Sequence, residues 1–327
     1  MLYMWRLLID YPLFLARESG DRHNIALILY GARQSMRTFL ITALLRIFAA
    51  LPLSWNRRLG ALLGWVLAHT PNSLRRISAV NLAVCFPERS AQERQRLLRT
   101  SLIETGKTAL EAGPMWYWPA EKLHTLIGGA ENAEAVDSAV RAGKGVIIAT
   151  PHLGSWEMGG HYCAVRWSIT TLYRPPRIAA LDSLIRRGRE RCGAQLVPTD
   201  ASGVRRLYEA LSQGSVVGIL PDQDPGDSGG VFAPFFGIPA NSMLLLSRLA
   251  RKTGAAVMFG FCERLPGTQG YRLHFIPAPE GIADADPAIA AAAMNRGVET
   301  FVRAYPEQYQ WSYRRFRTRP TGSPKIY

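Results

Sequence analysis

The strongest constraint on the fold is a rhythm in the second half of the chain. Short apolar runs rich in β-branched residues alternate with segments of helical periodicity. The runs are Val146 to Thr150, Ile169 to Tyr173, Gln195 to Pro198, Val216 to Leu220, Ala255 to Cys262 and Tyr271 to Ile276. Between several of them fall helical stretches: Ser155 to Val165, Ala179 to Cys192, Gly203 to Ser212 and Asn241 to Lys252. Strand–helix alternation of this kind predicts an α/β fold with a mixed, largely parallel sheet flanked by helices. Upstream, helical periodicity runs through Ala91 to Ala112 and Glu131 to Ala142, and the turn Gly143-Lys144-Gly145 leads into the first run. In such sheets, chemistry collects at the carboxyl ends of the strands.

The amino-terminal part has a different character. Residues 1–35 mix apolar pieces with a polar stretch and read as an extension without an assigned role, and either Met1 or Met36 could begin the protein. Residues 36–70 hold two apolar segments, Phe39 to Leu53 and Leu59 to Ala68, separated by Arg57-Arg58. Each is shorter than the ~20 apolar residues that cross a bilayer comfortably. No small-residue cleavage site separates them, which argues against a cleaved signal. They read as a membrane-anchoring helical segment that lies in or dips into the interface, with arginines reaching lipid phosphates; a buried helical hairpin is the alternative. Residues 71–327 read as a single domain that holds the alternating segments.

Charge narrows the choice of partners. Of 327 residues, 39 are Lys or Arg and 25 Asp or Glu, a formal net charge of +14. That excess points to an anionic membrane, an acidic protein, a phosphorylated substrate or nucleic acid. Basic residues occur in short pairs, with no helix-turn-helix, zinc-finger or RNA-recognition signature beside them, so nucleic acid is disfavoured. Cys85, Cys163, Cys192 and Cys262 are scattered and form no Cys-x-x-Cys pair, which suggests neither a disulfide framework nor a zinc ribbon.

The run His152-Leu153-Gly154-Ser155-Trp156-Glu157 follows the Val146 strand directly. His152 is placed at the strand's carboxyl end, Ser155 at the cap of the next helix and Glu157 in its first turn. The turn between them can bring the carboxylate to the imidazole. Glu157 would then fix the tautomer while the other ring nitrogen takes a proton from a substrate hydroxyl. That is a base and its orienting group without a protein nucleophile. Ser155 is not in a Gly-x-Ser-x-Gly elbow. A metal held by His152, Glu157 and His161 lacks the His-Glu-x-x-His spacing. The loop Asp222-Gln223-Asp224-Pro225-Gly226 follows another strand and belongs at the edge of the same site, as positioning groups or a structural turn. It is not a calcium loop, because Ala233 stands where the closing Glu is needed.

These segments together carry a resemblance. The ordered blocks are Asn81-Leu82-Ala83-Val84-Cys85-Phe86-Pro87-Glu88, His152 to Glu157, Tyr173-Arg174-Pro175, Arg187-Gly188-Arg189, Pro221-Asp222-Gln223, Pro234-Phe235-Phe236-Gly237, and Tyr305-Pro306-Glu307-Gln308-Tyr309 with Trp311. Over roughly residues 37–317 the chain resembles the bacterial lipid A late acyltransferases (lauroyl and myristoyl transferases), related to the lysophospholipid acyltransferases. The resemblance implies transfer of a fatty acyl chain from acyl carrier protein to a hydroxyl of a phosphorylated glucosamine lipid, on the cytoplasmic face of a bacterial inner membrane. It makes His152 the general base and Glu157 its partner, with no metal or other cofactor beyond the donor thioester. Arg174 would hold a phosphate or the thioester oxygen, with a structural ion pair as the alternative. Arg187 and Arg189 would face the anionic acceptor or form a solvated helix face, Asp222 and Gln223 would position substrate, and Phe232, Phe235 and Phe236 would line an acyl groove unless they pack in the core. Trp311 with Arg314, Arg315 and Arg317 reads as an aromatic and basic tail at a membrane interface or packed on the domain. Acyl transfer to another lipid (a lysophospholipid, an ornithine lipid or a mannosylated inositol lipid), a thioesterase or hydrolase, and a non-enzymatic membrane-binding protein are the alternative functions.

Overall fold

The computed structural model describes residues 36, 38–176, 178, 181–226 and 229–327. The extension read into residues 1–35 and the expected helix start at Ala179 lie outside them.

A seven-stranded sheet organises the chain. Its strands are β1 (Ile127–Glu131), β2 (Val146–Ala149), β3 (Thr170–Tyr173), β4 (Gln195–Pro198), β5 (Val216–Ile219), β8 (Ala256–Arg264) and β9 (Tyr271–Pro277), in the order β1-β9-β8-β2-β5-β3-β4. Each neighbouring pair is parallel except β8 and β9, which are antiparallel. The expected largely parallel sheet is therefore present. β2 and β5 are buried at every residue because helices cover both faces. Ile147, Ala149, Val217 and Ile219 join one core layer, and Val146, Ile148 and Val216 the other. The helix Trp156–Trp167 packs in the second layer, whereas Leu207 of Ala201–Ser212 and Leu249 of Leu245–Thr253 lie in the first.

Two elements depart from the expected pattern. β6 (Gly230–Phe235) and β7 (Ile238–Met243) form a separate antiparallel hairpin in which Pro234 faces Pro239, and β7 occupies the start of what periodicity assigned to a helix. The hairpin turns at Phe236 and Gly237, both with positive φ (51° and 75°), the geometry a tight two-residue turn requires. The helix Pro287–Ala304, capped by Asp286, closes over this hairpin.

The two apolar segments near the amino terminus are helical over residues 38–50 and Leu53–His69. No helix among the described residues is long and apolar enough to cross a membrane. The Leu53–His69 helix packs on the long helix Ala91–Tyr117, and glycines set their separation. A Cβ on Gly106 would meet the Gly60 carbonyl at 2.1 Å, and one on Gly64 would meet the Leu102 carbonyl at 2.3 Å. Small residues spaced four apart thus let two helix backbones touch. Arg57, buried on this side, donates to Glu111 at 3.0 Å and to the carbonyls of Leu265, Gly267 and Gly270 in the β8–β9 turn. Arg264 completes the knot with Glu111 and Glu104, both at 2.8 Å. The opposite face presents Trp55, Arg58, Leu59, Leu62, Trp65 and Val66 to the outside, at the three- and four-residue spacing of one helical stripe. Met36, Phe39, Leu40, Leu44 and Ile47 extend the exposed apolar surface.

Trp311 and Arg315 do not form an interfacial tail. Both are about 2% exposed: Trp311 packs edge-on against Phe86, and Arg315 donates to the Asn241 carbonyl and the Ser242 hydroxyl. Burial of the indole and hydrogen bonding of both guanidinium Nη atoms inside the fold explain this segment's composition.

Candidate active site

Strand β2 ends at Ala149, and the chain leaves it through Pro151 to His152. Three backbone hydrogen bonds hold the following loop from both sides. Gly154 N donates to the Gln308 carbonyl at 3.0 Å, Gln310 N donates to the His152 carbonyl at 3.0 Å, and Ser155 N donates to the Cys262 carbonyl at 2.8 Å. Gly154 has φ +61°, and a Cβ there would lie 2.1 Å from the Cys262 carbonyl, so only glycine fits this close approach. Ser155 occupies the N-cap position of Trp156–Trp167, but its side chain makes no capping bond; its backbone N–H serves β8 instead.

The ring of His152 is held by a carboxylate, though not by that of Glu157. Nδ1 lies 2.8 Å from Asp222 Oδ1, and His152 N donates to Asp222 Oδ2 at 2.9 Å. Asp222 comes from the end of β5, the strand paired with β2, so pairing of adjacent strands brings the two residues together. Burial opposes ionisation of Asp222, but the bonds from His152 outweigh it and hold the carboxyl below its usual range. An ionised Asp222 accepts a hydrogen bond from Nδ1–H and leaves the Nε2 lone pair pointing outward. Gln223 Nε2 meets that nitrogen at 3.2 Å, and Trp156 stands edge-on to the ring, centroids 5.3 Å apart.

Glu157 lies in the first turn of its helix, as expected, but its carboxylate turns to Arg189. Nη2 is 2.5 Å from Oε1 and Nε is 3.0 Å from Oε2, with Trp116 Nε1 at 3.4 Å from Oε2. The expected Glu157–imidazole contact is thereby corrected: a helical turn aims this carboxylate at the Asp182–Glu190 helix, while the neighbouring strand supplies the imidazole's partner. Burial penalises the charge, yet Arg189 draws the Glu157 carboxyl down to about 2. Ser155, Trp156 and Glu157 line a small hollow with Thr108, Glu111 and Met115 of the long helix Ala91–Tyr117.

A base held by an acidic partner at the carboxyl edge of a parallel sheet, with no elbow serine beside it, suits activation of a hydroxyl brought by the substrate. Comparison with known proteins gives the family. The family described as bacterial lipid A biosynthesis acyltransferase matches residues 28–318. The chain is 33% identical over 258 residues to a lipid A biosynthesis palmitoleoyltransferase of Escherichia coli (strain K12), covering 77% of this chain and 81% of that protein. It is 32% identical over 294 residues to the lipid A biosynthesis lauroyltransferase of the same strain, covering 89% and 94%. A third relative there, a lipid A biosynthesis myristoyltransferase, is 25% identical over 268 residues, 82% of each chain. This chain belongs to the family of bacterial lipid A biosynthesis acyltransferases.

As an acyltransferase, its remaining candidate residues sort by position. Arg174 is exposed just beyond β3, the strand next to β5, so the ends of β2, β5 and β3 set His152, Asp222 with Gln223, and Arg174 along one edge. Arg187 is exposed on the Asp182–Glu190 helix, whereas Arg189 on the same helix is committed to Glu157. Phe235 and Phe236 are buried in the main core among Phe86, Trp311, Tyr309 and Phe316. The acyl-groove expectation is corrected for these two, because rings enclosed by other core rings present no surface to a ligand; Phe232 is 38% exposed. His161 is a buried structural residue whose Nε2–H donates to the Met115 carbonyl at 2.9 Å. Among the described residues, no group of three or more His, Cys, Asp and Glu is placed to hold a metal.

Tyr309 was singled out only as part of a block. It pairs with Leu153 across the His152–Glu157 loop and is 5% exposed, and burial beside the Asp222 carboxylate pushes its hydroxyl well above the usual phenol range. Asn81, from another block, donates to the carbonyls of Trp311 and Tyr313 and so anchors the segment that carries Tyr309. The order of the blocks signalled that these residues matter, but their shared location needed the fold.

Proposed function

We propose that this acyltransferase moves a fatty acyl chain from an acyl carrier protein thioester to a hydroxyl of a phosphorylated glucosamine lipid, the lipid A precursor. His152 is the general base. The observation that carries the reading is the 2.8 Å contact between His152 Nδ1 and Asp222, which leaves Nε2 as the basic nitrogen at the strand ends. In the reaction, the acceptor hydroxyl gives its proton to Nε2 as its oxygen attacks the thioester carbonyl. The tetrahedral intermediate then collapses, the carbon–sulfur bond breaks, and the imidazolium returns the proton to the departing thiolate. Asp222 stabilises the imidazolium between these steps. Glu157 holds Arg189 in place beside the site, and the exposed Arg174 is suited to a substrate phosphate or the thioester oxygen. The proposed chemistry draws on side chains and the donor thioester alone.

The acceptor is a membrane lipid, and the exposed Trp55–Trp65 stripe supports binding at an anionic bilayer surface, with Arg58 reaching headgroups. The helix that carries this stripe packs on Ala91–Tyr117, which in turn lines the hollow beside Glu157. On this reading the chain lies on the cytoplasmic face of the inner membrane, where the acidic carrier protein meets a chain of net charge +14.

The test is an assay of purified protein with acyl carrier protein thioesters and separate acceptors. Transfer to the lipid A precursor, abolished in His152→Ala, is expected. Transfer only to a glycerolipid overturns the acceptor, and acyl release to water without any acceptor makes the protein a thioesterase.

A further inference from the structure

Gln223 stands where the substrate must go. The amide is 3.2 Å from His152 Nε2, and the hydroxyl that surrenders its proton must approach that nitrogen to ~2.6–3.2 Å. Both cannot hold the same lone pair. With Nδ1–H donating to Asp222, Nε2 accepts, so the end of the Gln223 side chain turned toward it is the N–H end.

The backbone around Gln223 is fixed, and its side chain is not. On one side the Asp222 carboxylate takes both His152 N and Nδ1. On the other, Asp224 N donates to the Tyr313 hydroxyl at 2.9 Å, and the Asp224 carboxylate accepts from Gly226 N, Asn241 Nδ2 and Thr318 N at 2.8, 3.0 and 3.1 Å. The half-buried Gln223 side chain makes only the contact to Nε2 among the described residues. A long side chain on a rigid backbone, held by one neutral hydrogen bond, exchanges that partner easily.

We propose that Gln223 is a catalytic donor that covers His152 Nε2 in the resting site, yields it to the acceptor hydroxyl, and donates its amide N–H to the thioester carbonyl oxygen. The geometry follows from the resting contact. The attacking oxygen takes the place of the amide at Nε2, and the carbonyl carbon comes within ~3–3.5 Å of that oxygen. The carbonyl oxygen then falls within reach of an amide displaced by about one hydrogen-bond length. As the carbon–oxygen bond forms, the carbonyl π pair moves onto this oxygen, and the amide N–H bond stabilises it until collapse expels the thiolate. The inference rests on the acyl transfer proposed above and adds a residue to it.

Two variants test it in the full chain with donor thioester and lipid acceptor. Gln223→Met keeps the length and removes the donor; Gln223→Glu keeps the shape and places an acceptor there. Both are expected to lower kcat by about 10²–10³-fold, as loss of one oxyanion donor does, with KM for donor and acceptor changed less than about threefold and Tm unchanged. A kcat equal to or above that of wild type in Gln223→Met means the amide only blocks Nε2 and overturns the proposal. Full activity in Gln223→Glu makes it a spacer and overturns it equally. If wild-type protein transfers nothing to any acceptor, the acyl transfer reading fails and this inference falls with it; active wild type beside unaffected variants sinks this inference alone.

Discussion

Glu157 and Arg189 form a two-point ion pair across helices, Nη2–Oε1 at 2.5 Å and Nε–Oε2 at 3.0 Å, with the Glu157 side chain 6% exposed. Removing one partner leaves the other charge without compensation in a largely closed place. Glu157→Gln is therefore expected to destabilise the protein by about 3 kcal/mol, visible as a lower Tm, and Glu157→Gln with Arg189→Met should recover part of that loss. A Glu157→Gln variant as stable as wild type counts against the pair's structural weight.

The same pair sets a pH dependence. The Glu157 carboxyl is drawn from an ordinary 4.5 to about 2 in the folded chain, because Arg189 outweighs the penalty of burial. The sign is that of a depressed acid: its contribution is complete above pH ~4.5 and disappears as pH falls toward 2. In acid titrations of stability, wild type and the Glu157→Gln/Arg189→Met double variant should converge between these values. A constant offset down to pH 2 contradicts the assignment.

The sheet was legible in the sequence and the partnership inside the site was not. Strands β2, β3, β4, β5, β8 and β9 begin and end within two residues of the apolar runs, because buried parallel strands are written as continuous β-branched segments. β1, Ile-Gly-Gly-Ala-Glu, carries two glycines and no alternation, and the β6–β7 hairpin places Pro234 opposite Pro239, so neither gives a strand signal. His152 was placed correctly at a strand end. Its carboxylate partner was sought five residues away, whereas strand pairing supplies one 70 residues on. Such a choice between two nearby acids depends on helix direction and register, which a linear pattern does not contain. Phe235 and Phe236 look the same in sequence whether they line a groove or fill a core.

Close packing of the Leu53–His69 helix on the Ala91–Tyr117 helix makes a sharp prediction. A methyl at Gly106 would stand 2.1 Å from the Gly60 carbonyl, with backbone rather than a flexible side chain in the way. Gly106→Ala should lower stability by roughly 1–3 kcal/mol through forced separation of the helices. Thermal unfolding checks it; an unchanged Tm would mean the two helices are not in contact.

The exposed stripe can be tested without disturbing that packing. Trp55, Leu62 and Trp65 point away from the fold, at 52%, 58% and 53% exposure. Changing all three to Ser should weaken co-sedimentation with anionic phospholipid vesicles at least about tenfold and leave Tm near that of wild type. Equal binding by both proteins excludes this face as the lipid contact.

The central claim is that Asp222 orients the His152 base, and Asp222→Asn addresses it most directly. The amide preserves shape but cannot stabilise the imidazolium or enforce the Nδ1-protonated tautomer. With acyl carrier protein thioester and lipid A precursor, kcat should fall by about 10²–10⁴-fold while circular dichroism shows a folded chain. A folded Asp222→Asn protein that turns over at the wild-type rate contradicts the account.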